Sequence, residues 1–190
     1  MATRTNPTSL YLLAIVPPEP VLGQVWALKQ EVHILTGSRN AVRLRPHITL
    51  WPPVHRPAAF ARQAAEVLAR FAASETEFMV SLRDFAWFGS RTLFISVNSP
   101  GILKDFNQRL AQWCRLHQLN ISLENRPFTP HMTLATRDLP ADNVPELQKI
   151  FAARNYAAQF PVQQLTLFEH DGKSWEVAAE FHLSASGQPN

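Results

Sequence analysis

One five-residue pattern occurs twice, and its spacing constrains the fold more than any other feature of the chain. Pro46-His47-Ile48-Thr49-Leu50 is matched 84 positions later by Pro130-His131-Met132-Thr133-Leu134. From the composition, about 0.05 His-x-Thr-Leu matches are expected by chance, so two copies amount to roughly a one-in-a-thousand event. The same offset carries Leu10 onto Phe94 and Leu22 onto Phe106, at equivalent points of two runs of elements. The chain therefore reads as a divergent internal duplication. Residues in a strand alternate between faces, so His47 and Thr49 share one face while Ile48 and Leu50 take the other. His131/Thr133 and Met132/Leu134 divide in the same way. At ~3.3 Å rise per residue, each imidazole and its hydroxyl start about 7 Å apart at the backbone, near enough to converge on one small anion. Pro46 and Pro130 lack an N–H and fit best at a strand start or edge, where a cleft opens.

Around these motifs the elements alternate. An apolar run at 9–16 reads as a buried strand, and Pro17-Pro18-Glu19-Pro20 starts a helix striped by Val21, Leu22, Val25, Leu28, Val32 and Leu35, ended by Gly37. A strand at 45–51 stops at Pro52-Pro53, and a helix carries Phe60, Ala64, Val67, Leu68 and Phe71. A hairpin follows, 77–87 and 92–98, turning at Gly89-Ser90. The order then recurs as a helix at 102–119, a strand at 128–137, and a short helix at 144–154 with Asn143 as cap and Pro145 in its first turn. A hairpin at 158–169 and 174–183, joined by Asp171-Gly172, ends the series. The expected fold is α+β, a single bilobal domain over 1–190. It has duplicated β-α-β-α-β-β runs at about 9–98 and 91–184 that share the strand 91–98. Two antiparallel sheets face a central cleft, with helices outside.

Composition narrows the function. With 190 residues, 46 % of them apolar, the chain can bury a sizeable core. Eighteen basic against fifteen acidic residues leave a net +3, which argues against a strongly cationic nucleic-acid track yet permits a phosphate-bearing ligand. The single cysteine, Cys114, cannot close an intramolecular disulfide and reads as a core residue, so a reducing, cytoplasmic setting is expected. The seven-residue apolar run at 10–16 is too short for a membrane span. His33, His55, His117, His170 and His182 lack metal-ligand spacing and read as surface or helix-face residues. No metal, cofactor or obligate protein partner is expected, and no phosphate-binding glycine loop is present.

Paired imidazoles and hydroxyls suit the opening of a cyclic phosphodiester. One group must take a proton from water and another must give a proton to the departing ribose oxygen. An unperturbed pKa near 6.5 lets one histidine be neutral and the other protonated near neutral pH. Threonine hydroxyls can donate to the non-bridging oxygens, where charge builds. On these residues the sequence resembles the 2H phosphoesterase superfamily, which includes 2'-5' RNA ligase-like proteins and RNA 2',3'-cyclic phosphodiesterases. Trp87-Phe88-Gly89 before an apolar strand adds to the likeness. The resemblance implies that His47 and His131 are the catalytic pair and that Thr49 and Thr133 bind phosphate. It further implies that in hydrolysis His131 activates water and His47 protonates the leaving oxygen. The RNA-processing branch often carries an arginine three residues after the second threonine, but here Thr136 stands there and Arg137 follows. Strand alternation puts Arg137 on the His131/Thr133 face, and Arg45 lies on its own motif's face, so both are candidate phosphate contacts.

The shifted arginine leaves RNA ends, small cyclic nucleotides and other cyclic phosphates all open as substrates. Trp51 is a candidate base-stacking ring, weighed against a place in the core, and Trp87 and Phe88 at the hairpin tip stand in the same balance. The expected function is metal-independent hydrolysis of 2',3'-cyclic or 2'-5' phosphodiesters of nucleotides or RNA, reversible in principle as 2'-5' ligation. The alternative is a module that binds nucleotide or RNA phosphate without turnover.

Overall fold

The apolar run near the start of the chain is buried on both faces. Tyr11, Leu13 and Ile15 join the main core, whereas Leu12 and Ala14 pack with Phe168 in a second, smaller cluster. Such two-sided burial marks a central strand. The computed structural model describes residues 8–98, 100–119, 121 and 127–185. Their elements are β1 (Thr8–Ile15), α1 (Val21–Thr36), a 3-10 turn (Asn40–Val42), β2 (Ile48–Pro57), α2 (Phe60–Ser74), β3 (Phe78–Phe88), β4 (Thr92–Asn98), α3 (Gly101–Leu116), β5 (His131–Thr136), a second 3-10 turn (Ala141–Asn143), α4 (Val144–Ala152), β6 (Ala157–Val162), β7 (Gln164–His170) and β8 (Trp175–His182). Among the described residues no helix is long and apolar enough to cross a membrane.

The α+β class stands, but the two separate sheets do not. All eight strands form one sheet in the order β6-β3-β4-β5-β2-β1-β7-β8. Its halves meet where β2 and β5 share one antiparallel pair, Ile48 with Met132. Alternation within each strand predicts which face is apolar, and it is silent on whether two motif strands pair with each other. The halves also exchange chain segments. The β7–β8 hairpin pairs with β1, whereas β3, from the first run, completes the half that holds β4, β5 and β6.

The strand expected at 158–169 is two strands. β6 pairs with β3 at one end of the sheet and β7 pairs with β1 near the other, with Gln163 between them. Pro161 lies in β6 at an edge of the sheet, where a missing N–H removes no ladder bond. Pro52-Pro53 likewise does not end β2, because the two prolines fall in a register shift between the Leu13–Trp51 and Tyr11–Val54 pairs. Asn143 caps α4 by position only, without a side-chain hydrogen bond.

One continuous core joins the sheet to every α-helix, with Val25 of α1, Phe71 of α2, Phe106 of α3 and Phe151 of α4 among its members. Ile48, Leu50, Met132 and Leu134 also belong to it, so the motif histidines and threonines face the opposite side of the sheet. The buried stripe of α1 reads Val21, Val25, Lys29 and Val32, and the expected Leu35 is instead 44 % exposed. Cys114 is buried as expected, its thiol pushed up to about 12 by burial.

Candidate active site

A single backbone pair positions the four motif side chains. With Ile48 opposite Met132 in an antiparallel register, His47 lies across from Thr133 and Thr49 across from His131. Each histidine thus stands diagonal to the other, at a Cα separation of about 7–8 Å where such strands run side by side. The arrangement has the local two-fold symmetry that the repeated motif predicts.

Both imidazoles are held in the same way. The Nδ1–H of His47 donates to the Arg45 carbonyl at 2.7 Å, and that of His131 donates to the Thr129 carbonyl at 2.7 Å. A carbonyl only accepts, so Nδ1 carries the hydrogen and Nε2 is left to accept or deliver a proton. The surroundings differ. Phe88 and Phe94 meet the His131 ring edge-on at centroid distances of 4.9 and 5.2 Å, while Phe168 lies 6.4 Å from the His47 ring. Burial lowers the pKa of His131 against the pull of its carbonyl bond. Burial, then repulsion from the Lys29 ammonium, then a smaller push from His131, bring His47 down to about 4, while its bond to the Arg45 carbonyl acts in the opposite sense.

Thr49 and Thr133 are partly exposed, and among the described residues neither hydroxyl has a hydrogen-bond partner. Thr166, across Ala14 from Thr49, adds a buried hydroxyl that is also unpartnered. Arg45 contributes its carbonyl to His47, and its side chain is exposed. Arg137 departs from the alternation argument because β5 ends at Thr136. Arg137 is the centre of a tight turn at φ 69°, closed by the Asp138 N–H donating to the Thr136 carbonyl at 2.9 Å. A bulky residue keeps such a conformation only where its surroundings enforce it. The Asp138 carboxylate does so by accepting from the Ser38 hydroxyl and from the N–H groups of Arg39 and Asn40, which ties the turn to the loop leading into the first motif.

Trp51 is corrected. Its side chain is wholly buried in the helix-side core, so it offers no face to a base. The exposed ring at the site is Phe88, 42 % accessible and stacked on Phe94 at 4.2 Å. His170, expected at the surface, is buried, with Arg43 Nη2 2.8 Å from its Nε2. Two site residues are not apparent from the sequence. Phe94 stands out there only as the repeat partner of Leu10, and Lys29 does not stand out at all. The available signal for Lys29 is a lysine four residues after Val25 on a valine stripe. Buried in α1, it donates from Nζ to the Thr133 carbonyl at 3.3 Å, and burial lowers it to about 8.

A family model described as the 2'-5' RNA ligase superfamily matches residues 17–174. The fold is similar to that of TT0787 from Thermus thermophilus, at 22 % identity over 94 % of this chain and 100 % of that one, with a TM-score of 0.65. It is similar also to E. coli LigT in complex with 3'-AMP, at 17 % identity over 94 % of this chain and 99 % of LigT, with a TM-score of 0.66. Usb1 from Kluyveromyces marxianus aligns at 14 % identity over 89 % of this chain and 97 % of Usb1, with a TM-score of 0.50. Comparison with functionally curated proteins gave no significant match. The matched segment contains both His-x-Thr strands and the elements that pair them, and the chain belongs to the 2'-5' RNA ligase superfamily, within the 2H phosphoesterases.

Proposed function

We propose that this protein hydrolyses 2',3'-cyclic or 2'-5' phosphodiesters of nucleotides or RNA ends by metal-independent acid–base catalysis with His47 and His131. Membership of the superfamily supports a phosphodiesterase- or ligase-type activity. The observation that carries the finer reading is the Ile48–Met132 register, which gathers two Nε2 atoms and two unpartnered hydroxyls on one face of the sheet. LigT has been crystallised with 3'-AMP. A monoester of that kind is released when the bond from phosphorus to O2' of a 2',3'-cyclic phosphate breaks.

In the reaction one unprotonated Nε2 takes a proton from water as the water oxygen bonds to phosphorus. The bond from phosphorus to one ribose oxygen then breaks, and the second imidazole, protonated at Nε2, gives its proton to that oxygen. Each group contributes roughly 10²–10⁴-fold. Thr49 and Thr133 donate to the non-bridging oxygens, where loss of one donor costs of order 10²-fold. Arg45 and Arg137 supply positive charge at the rim. Phe88 offers its exposed face to a base or ribose. With a 5'-hydroxyl in the place of water, attack on a 2',3'-cyclic phosphate forms the bond from phosphorus to O5' and breaks the bond from phosphorus to O3', which takes the proton. The ends are thereby joined as a 2'-5' bond, though water and low end concentration favour hydrolysis.

The test is release of 2'- or 3'-phosphomonoester from a panel of 2',3'-cyclic nucleotides, a 2'-5' dinucleotide and a cyclic-phosphate-ended oligoribonucleotide, with chelator present. Chelator-resistant release from one or more members is expected, and the preferred member identifies the substrate. Tight binding without release from any of them would make the site a phosphate-binding module instead.

A further inference from the structure

The alternation of both motif strands breaks at the same place. Leu50 and Trp51 in β2, and Leu134 and Ala135 in β5, are successive residues that join the helix-side core. In an unbroken strand the second of each pair would turn to the other face. The ladders give the cause. From the Ala14–Thr49 pair to the Leu13–Trp51 pair β1 advances by one residue and β2 by two, so Leu50 has no residue opposite it. From Phe94–Thr133 to Leu93–Ala135 β4 likewise advances by one and β5 by two, which leaves Leu134 over. Each motif therefore ends in a β-bulge at its final leucine, and the two bulges are 84 positions apart, as the motifs are. A bulge re-aims the side chains beside it, and the residue immediately before each is the motif threonine.

A bulge interrupts the ladder, and backbone groups buried there need another partner. In both strands a donor comes from the helix layer, from a polar side chain buried in an otherwise largely apolar stripe. Asn107 of α3, beside Leu103, Phe106 and Leu110, donates from Nδ2 to the Leu50 carbonyl at 3.0 Å. Lys29 of α1, beside Val25 and Val32, donates from Nζ to the Thr133 carbonyl at 3.3 Å. Each bond crosses the duplication, since α3 of the second run holds the first motif and α1 of the first run holds the second. The two residues are not repeat equivalents, because the 84-residue offset carries Asn107 onto Gly23 and Lys29 onto Trp113. Two different side chains thus meet the same need at the same point of each motif. Both stand behind the sheet and reach the site only through its backbone.

We propose that Asn107 and Lys29 are positioning residues for the two threonines. Asn107 fixes the bulge that aims the Thr49 hydroxyl at the phosphate, and Lys29 fixes the bulge that aims the Thr133 hydroxyl. This rests on the hydrolase reading above, in which those hydroxyls donate to the non-bridging oxygens.

The test is a set of double-mutant cycles read as kcat/KM on the preferred 2',3'-cyclic nucleotide, with thermal unfolding to confirm that each variant is folded at the assay temperature. Asn107→Leu removes the amide, and Lys29→Met removes the ammonium. Asn107→Leu should lower kcat/KM about tenfold in the parent and in Thr133→Val, but less than about twofold in Thr49→Val, where the hydroxyl it positions is already gone. Lys29→Met should show the mirror image, with its effect lost in Thr133→Val and kept in Thr49→Val. Residues with a structural role alone would lower activity by the same factor in every background, or not at all, and either result overturns the proposal. If Asn107→Leu does not fold, Asn107→Ser takes its place in the cycle with the same expectation. A parent chain inactive on every phosphodiester overturns the hydrolase reading. The cycles are then read in affinity for 3'-AMP, where the same pairwise pattern upholds the positioning of the threonines and equal losses overturn it.

Discussion

An imidazole tied through Nδ1 to the carbonyl two residues earlier has one nitrogen left for chemistry, and this chain makes that tie twice. Residue identity makes the pair legible, since two copies of so short a motif already imply two equivalent strands. Burial is not legible to the same degree. Trp51 and Phe88 are both aromatic and both near a motif or hairpin tip, and only the register of neighbouring strands decides that the first is core and the second exposed over His131. Removing that ring with Phe88→Ala should raise KM about tenfold with a smaller change in kcat, because stacking of a base is worth roughly 1–3 kcal/mol; steady-state kinetics on the preferred nucleotide checks this. Lys29 makes a prediction about stability. Its folded pKa of about 8 lies below the ordinary value of 10.5, so between those values the unfolded chain binds more protons than the folded one. Stability must therefore rise with pH through that window and be lowest below it, by about 3 kcal/mol at most. Urea unfolding at pH 7 and pH 10 should show the rise in the parent and a flat profile at higher stability in Lys29→Met. His47, held at about 4, acts with the same sign lower down, and stability should fall as pH drops from 6.5 toward 4.

At the scale of elements, periodicity finds the helices and most strands but misjudges their ends. β2 runs on past two prolines because a bulge absorbs them, and β5 stops one residue short of Arg137 because the chain turns there through a positive φ. Neither a bulge nor a left-handed arginine is written in local hydrophobic pattern, since each is enforced by contacts from elsewhere. For Arg137 the enforcing contact is Asp138, whose carboxylate accepts three hydrogen bonds from residues 38–40. These bonds also hold Asp138 below the usual carboxylate range against the opposing effect of burial. Asp138→Ala should destabilise the chain by about 1–2 kcal/mol, and Asp138→Asn by less, because an amide oxygen can still accept. It should also raise KM by freeing the turn that carries Arg137. Thermal unfolding and steady-state kinetics on the two variants test this, and a variant matching the parent in both would remove Asp138 from the account.

The whole molecule is one sheet whose two halves meet at the site, and each half depends on chain from the other run. Duplication is readable from the 84-residue offset, whereas this exchange is not, because β7 and β1, which pair, lie at opposite ends of the sequence. The C-terminal hairpin is consequently part of the first motif's support. A chain ending at residue 162 would uncover the edge of β1 and expose Leu12 and Ala14, and it should fail to fold cooperatively, as judged by circular dichroism and gel filtration. A truncated chain that still bound nucleotide with parent affinity would contradict that dependence. The central claim, that the two halves exist to bring His47 and His131 to one phosphodiester, is tested most directly by comparing turnover of the preferred 2',3'-cyclic substrate by the parent, His47→Ala and His131→Ala. Each variant should fall by roughly 10²–10⁴-fold while remaining folded. If either variant keeps the parent rate, the two-histidine account is wrong.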